Sequence, residues 1–185
     1  LDLSKKLMYD FYYNKLKKSY KSKVNLLYTD TDSLLIQIRT KDVYEDMKKD
    51  SNLYDTSDYP KDHKLYNEAN KKVVGKMKDE CNGRIIAEYV GLRPKMYSIL
   101  EENKTQINKA KGVCKPIVKK ELNHELYKDS LFKRVEFKHD MHCIRSHNHN
   151  MGLYKLNKVS LSPLDTKKYI RRDGILTYAY GHYRI

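Results

Sequence analysis

The chain has 185 residues, room for one ordinary domain or two small ones. Lysine and arginine number 38 against 24 aspartates and glutamates, a formal net charge of +14 that favours a polyanionic partner over an acidic or neutral one. No apolar run reaches membrane-spanning length, no signal peptide is visible, and Cys81, Cys114 and Cys143 are too few and too scattered for a disulfide framework, which suits a reducing compartment.

In chain order, "LDLSKKLMYDFYYNKL" reads as an amphipathic helix already in mid-stride, with Leu3, Leu7, Phe11 and Leu16 near helical spacing, and one helix is expected over 3–21. The chain opens on Leu1 and not on Met, so it reads as a fragment of a longer protein. "KVNLLY" and "SLLIQI" are strand-like runs on either side of "TDTD", the pattern of a hairpin with a short polar turn. A short helix is expected at "KDVYEDMKK" and a loop over 50–64, by its Asp, Ser, Asn and Pro content. "KKVVGKMKDECNGRIIAEYVGLRPKMYSIL" alternates as strands, with a turn at Asn82-Gly83 and with "GRIIAEYV" and "PKMYSIL" as neighbours. "KPIVKKELNHELYKDSLF" is expected to be helical after Pro116, followed by strands at "RVEFKHDMHCI" and "GLYKLNKVSLS" and a Tyr-rich tail. The charge balance shifts near residues 100–110: residues 1–100 carry +5 and residues 101–185 carry +9. The expected organisation is therefore α+β, with one part over 1–105 and a more basic part over 106–185.

Asp30 and Asp32 sit between two apolar runs. Charges beside buried strands are costly unless neutralised, by a lysine, a backbone nest or a metal ion. Asp-x-Asp in a tight turn offers hard oxygen ligands suited to divalent cations and, through them, to phosphates. An EF-hand loop is excluded, because Leu34 and Leu35 stand where an oxygen ligand and the turn glycine belong. A dehalogenase-type phosphatase fits poorly, because Leu34 replaces the expected Thr or Val and the strand returns as a hairpin. A manganese-dependent glycosyltransferase, a nucleotidyltransferase palm hairpin and an ordinary solvated turn stay open on these residues alone.

The flanks add to this. "YTDTDSL" resembles the Tyr-x-Asp-Thr-Asp-Ser motif of family B DNA polymerases, and all five specified residues match. The helix before it, the segment "GLRPKMYSI", and "KKVVGKMKDE" and "NKAKGV" resemble the protein-primed branch, found in Polinton or Maverick transposons and related viruses. "KVSLSPLDTKKYIRRDGILTYAYGHY" resembles the tail of the transposon members more weakly. The family's upstream palm aspartate, its finger-helix motif and an exonuclease carboxylate set do not occur in these residues.

The resemblance implies the C-terminal part of a polymerase palm over 1–105, an antiparallel sheet with packed helices, and a thumb-like basic region over 106–185. It implies a DNA-directed DNA polymerase using two Mg²⁺ ions, with Asp32 the stronger ligand, Asp30 assisting, and one more carboxylate from elsewhere. Tyr28 and Ser33 would shape the turn, with Thr31 between the carboxylates, while Lys95, Tyr97 and Arg93 would lie near the primer strand. The implied partners are a primer-template, a dNTP and a terminal priming protein, with no membrane, in the nucleus of a eukaryotic host or at a viral replication site. The alternative is a non-catalytic nucleic-acid-binding remnant of a decayed mobile element.

Two further groups stand out. His139, His142, Cys143, His147 and His149 lack the pair-gap-pair layout of zinc ligands and read better as polar positions on a strand end. The run Lys167, Lys168, Arg171 and Arg172 suits contact with a phosphate backbone, or equally a solvated helix face.

Overall fold

A computed structural model describes residues 1–164, 168–179 and 181–185. Helix makes up 27% and strand 37%, so the chain is mixed α+β, as expected. It divides into two compact units, Leu1–Ile86 and Ala87–Ile185. Residue 105 lies within the second unit, in the turn of a hairpin.

The first unit begins with α1 (Asp2–Tyr9), which continues through a π-helical stretch, Asp10–Leu16, into α2 (Lys17–Tyr20). One α-helix was expected over 3–21, and the π stretch has a physical reason. The buried residues Met8, Tyr12 and Leu16 are spaced by four. Each such step overshoots an α turn by about 40°. The looser π turn winds less per residue and keeps Tyr12 and Leu16 on the inner face. Lys21, at φ +51°, ends the helix.

Next comes the expected hairpin, β1 (Val24–Asp30) and β2 (Ser33–Ile38), antiparallel, with Asp30 opposite Ser33. Val24 is fully buried against Tyr12 and Leu16, and Leu34, Ile36 and Ile38 pack on the same cluster. The expected short helix is α3 (Val43–Lys49), capped by Asp42, whose carboxylate accepts from the amides of Tyr44 and Glu45. Lys64 donates to the same carboxylate at 2.6 Å and, foremost among its contacts, holds Asp42 below the usual range.

Residues 50–85 form few regular elements: β3 (Tyr54–Asp55) and β4 (Met77–Lys78) pair in parallel over two residues. The strands expected around "KKVVGKMKDE" shrink to β4, because aspartates organise the backbone into turns instead. Asp55 accepts from the amides of Ser57 and Lys72, and Asp79 from those of Cys81 and Gly83 and from the Tyr59 hydroxyl. Gly83, at φ +82°, supplies the turn expected at Asn82-Gly83, and a β-carbon there would press on the Tyr59 ring at 3.0 Å.

The second unit holds a three-stranded sheet of β5 (Ile86–Arg93), β6 (Met96–Glu101) and β7 (Gln106–Ala110), with β6 central. β6 and β7 are antiparallel. α4 (Lys115–Lys120) and α5 (His124–Lys133) follow where one helix was expected. Asn123 breaks the run, because its side chain caps α5 by accepting from the Leu126 amide at 3.0 Å. The core joins Val90, Met96, Ala110, Ile117, Leu122, Tyr127, Met141 and Leu161. β8 (Phe137–His147) and β9 (Asn150–Leu161) then form a long antiparallel hairpin. A small hairpin ends the chain, β10 (Lys168–Ile170) with β11 (Thr177–Ala179). No helix among the described residues is long and apolar enough to cross a membrane.

Candidate functional site

The Asp30/Asp32 pair lies at the tip of the β1–β2 hairpin, where two strands can close only through a two-residue turn, Thr31-Asp32. Neither turn residue has positive φ, so this is not one of the primed turns that match strand twist. A bulge between Leu26 and Tyr28 accompanies it. The Ser4 hydroxyl donates to the Thr31 carbonyl at 3.0 Å and ties the turn to α1.

The two carboxylates are held differently. Asp30 is half-buried; its Oδ2 accepts from the Tyr28 hydroxyl at 3.2 Å and its Oδ1 from the Thr31 amide at 2.9 Å. Asp32 is exposed, and its carboxylate has no hydrogen bond or ion pair among the described residues. One acid is therefore oriented by the turn, and the other is open to solvent. Asp32 also borders a groove of about 460 Å³ within the first unit, floored by Met8, Phe11, Leu34 and Met77. Two lysines on the groove are engaged elsewhere, Lys76 with the Asn52 carbonyl and Lys78 with Asp58. An open carboxylate beside an oriented one fits a hard divalent cation in donor chemistry. Among the described residues, no group of three or more His, Cys, Asp or Glu is placed to hold a metal ion.

Arg93, Lys95 and Tyr97 belong to the second unit, around the two-residue connection Pro94-Lys95 between β5 and β6. Lys95 sits at φ +60°, and its carbonyl accepts from the Lys111 amide at 3.0 Å. Its side chain is exposed, while Tyr97 is half-buried and tilts against Tyr89 with ring centroids 5.9 Å apart. Burial, and then Tyr97, push the Tyr89 hydroxyl up to about 12, so it stays a neutral donor. Arg93 ends β5, Lys95 sits in the connection and Tyr97 lies in β6.

The histidine-cysteine group is strung along β8 and its turn instead of converging. His139, Cys143 and His147 fall on one face at four-residue steps of about 13 Å, with His142 on the other. His139 Nδ1 is 2.7 Å from the Ser160 hydroxyl, which itself donates to the Phe137 carbonyl, so His139 serves the hairpin. In the basic run, Lys168 starts β10 and Arg171 and Arg172 follow it, while Lys167 lies outside the described residues.

A polar chain went unread in the sequence, from the part-exposed Glu88 through the buried His124 and Ser98 to Asn108. Ser98 Oγ donates to Asn108 Oδ1 at 2.6 Å and lies 2.7 Å from His124 Nδ1. His124 Nε2 lies 3.3 Å from Glu88 Oε2, near enough for ion pairing but not aligned as a hydrogen bond. The connectivity is that of a serine–histidine–acid triad, but the chemistry is not. The hydroxyl proton is spent on Asn108, whose amide nitrogen is committed to the Leu122 carbonyl, so His124 Nδ1 must donate and cannot act as the base. Ser98 is also fully buried, out of reach of any substrate. The visible signal was Ser98 itself, a polar residue on the inner face of a strand between Met96 and Leu100, which needs a buried partner.

Comparison of the chain with family models, curated proteins and solved structures finds no match to any of them.

Proposed function

We propose that this chain is the C-terminal palm and thumb-like part of a DNA-directed DNA polymerase of family B, protein-primed branch. The observation that carries the reading is the contrast at the hairpin tip. Within "YTDTDS", Tyr28 and the turn amide orient Asp30, while Asp32 is left open beside a groove. Asp30 and Asp32 would hold Mg²⁺, which when bound supplies charge to steady the attacking and leaving oxygens of nucleotidyl transfer. Tyr28 fixes which way Asp30 faces, and Ser4 steadies the turn from α1. Arg93, Lys95 and Tyr97 would contact the primer strand, Arg93 and Lys95 by charge and Tyr97 by its hydroxyl.

The resemblance assigns a further carboxylate and the nucleotide-holding fingers to a segment these 185 residues do not contain. The isolated chain should therefore bind DNA without incorporating dNTPs, because ligands from one side leave Mg²⁺ mostly hydrated. Primer extension by the parent polypeptide tests the reading. Asp32→Ala should abolish nucleotide addition with DNA binding nearly intact, and Asp30→Ala should be severe but milder. Normal extension by the Asp32 variant would sink the assignment.

A second reading, a non-catalytic nucleic-acid-binding remnant, draws on the charge of the second unit. Residues 87–185 carry 20 basic and 10 acidic side chains, and binding by them needs no metal. A parent polypeptide that binds DNA but never extends a primer would favour it.

A further inference from the structure

The first unit carries 18 basic against 14 acidic side chains, yet the groove beside Asp32 runs the other way. Five charged residues line it: Asp32, Lys76, Lys78, Asp79 and Glu80. Both lysines are engaged, Lys76 with the Asn52 carbonyl and Lys78 with the Asp58 carboxylate. Asp79 is engaged too, by the Tyr59 hydroxyl and the amides of Cys81 and Gly83. Asp32 and Glu80 are left. Both are exposed, and neither carboxylate has a hydrogen bond or ion pair among the described residues. Lys78 feels the charge of Glu80, but it is already bonded to Asp58. The charge that this groove leaves uncommitted is therefore negative, in a chain of net charge +14.

The rest of the lining is apolar and soft. Met8, Met47 and Met77, three of the chain's six methionines, border the groove. Unbranched thioether side chains adapt to the shape of an apolar body and interact well with aromatic rings. Phe11, Tyr20 and Tyr54 border it as well. Phe11 meets Tyr54 edge to face at 6.0 Å, and the Tyr20 hydroxyl donates to Asp46 at 3.0 Å, so the rings are fixed before any ligand enters. The volume of about 460 Å³ is that of a small-molecule site. Aromatic faces attract cations, and a carboxylate binds an ammonium group directly. A neutral apolar ligand would strip water from the two carboxylates without replacing it, and an anionic one would be repelled. A ligand that joins an apolar body to a cation satisfies the floor and the acids together.

We propose that this groove is a binding site for a small organic ammonium ion with an aromatic or alkyl body. The body lies on the methionines and Phe11, and the ammonium group is drawn to the carboxylates of Glu80 and Asp32. The site lies wholly in the first unit, needs neither Mg²⁺ nor nucleic acid, and does not rest on the polymerase reading.

The test is a titration of the chain, in metal-free buffer, with three probes that share one body: phenylpropylamine, phenylpropanol and phenylpropionate. Isotope-labelled methionine methyl groups, followed by nuclear magnetic resonance, report where each probe binds. Met8, Met47 and Met77 line the groove, whereas Met96, Met141 and Met151 belong to the second unit. The amine should shift the three groove signals saturably and leave the other three in place. The alcohol should bind about fivefold more weakly, and the propionate more weakly still. Glu80→Gln should weaken the amine about threefold and leave the alcohol unchanged, whereas Met77→Ala should weaken both alike. Glu80 makes no internal bond, so circular dichroism of Glu80→Gln should match the parent chain. An alcohol that binds as tightly as the amine, a Glu80→Gln variant with unchanged amine affinity, or shifts confined to Met151 overturns the proposal. Primer extension by the parent polypeptide is a separate measurement. Failure to extend a primer counts against the polymerase reading alone, and failure to prefer the amine counts against this site alone.

Discussion

At the scale of single residues, the aspartates that serve the backbone contrast with Asp32. Asp30, Asp42, Asp55 and Asp79 each accept from backbone amides, and this is structural work. Asp32 accepts from nothing among the described residues. Asp32→Asn should therefore change unfolding free energy by no more than about 0.5 kcal/mol. Asp30→Ala strips the Tyr28 hydroxyl and the Thr31 amide of their acceptor and should cost about 1 kcal/mol. Urea unfolding of the two variants checks this, and equal losses would mean that Asp32 has a structural partner after all. Asp55 adds a pH dependence. It is 8% exposed, and the Ser57 amide, opposed by burial and helped by the Lys72 amide, holds its carboxyl below its ordinary 3.8. A folded value below the unfolded one means stability that is full above the ordinary value and lost as pH falls through the folded one. Asp55→Asn should lower stability at neutral pH by about 1–3 kcal/mol, by failing to serve both amides, and should shallow the loss below pH of about 4. Unfolding midpoints followed across acid pH measure both effects; an acid limb as steep as in the parent chain would assign the sensitivity to other carboxylates.

At the scale of elements, legibility followed local chemistry. The β1–β2 hairpin, α3 and the β8–β9 strands could be read because alternation or a capping aspartate marks each of them within a few residues. The two-helix split at Asn123 was harder, since "KKELNHELYKD" carries helix formers on both sides and only the cap geometry reveals the break. Residues 71–85 misled because alternation suggested strands where aspartate-to-amide bonds favour turns. At the candidate site, the carboxylate pair was plain in the sequence, but the difference between an oriented Asp30 and an open Asp32 depends on the Tyr28 hydroxyl and on Ser4, 27 residues from its partner. The Glu88–His124–Ser98 chain likewise spans residues 88 to 124, too far for any local pattern. The β8–β9 turn offers a test at this scale. Asn148 and His149 both have positive φ, 48° and 64°, the requirement of a type I′ turn. Glycine adopts that backbone without strain, and histidine does not. His149→Gly should stabilise the chain by about 1 kcal/mol. Thermal melts would show it, and a destabilised variant would give the His149 side chain a structural role that its exposure does not suggest.

At the scale of the whole chain, net charge and exposed apolar surface oppose one another. The +14 charge repels other copies. Against it stands the outer half of the β8–β9 hairpin, a two-stranded sheet whose edges no other strand among the described residues pairs. Ile144 pairs directly with Leu153, and both are 71% exposed, with Met151 close behind at 70%. Open strand edges carrying apolar side chains are templates for association, and charge is a common means of holding them apart. Salt should therefore act in two opposite directions. It weakens nucleic-acid binding by removing the counterion-release term. It also shortens the range of self-repulsion, from about 30 Å at 0.01 M to about 3 Å at 1 M, while leaving hydrophobic contact intact. In the absence of nucleic acid, light scattering should show the chain monomeric at low salt and increasingly associated as salt rises. Changing Ile144 and Leu153 together to Thr keeps strand propensity and removes the apolar pair, so the double variant should stay monomeric to higher salt. Association that ignores salt, or that survives the double substitution unchanged, would place the contact elsewhere on the chain.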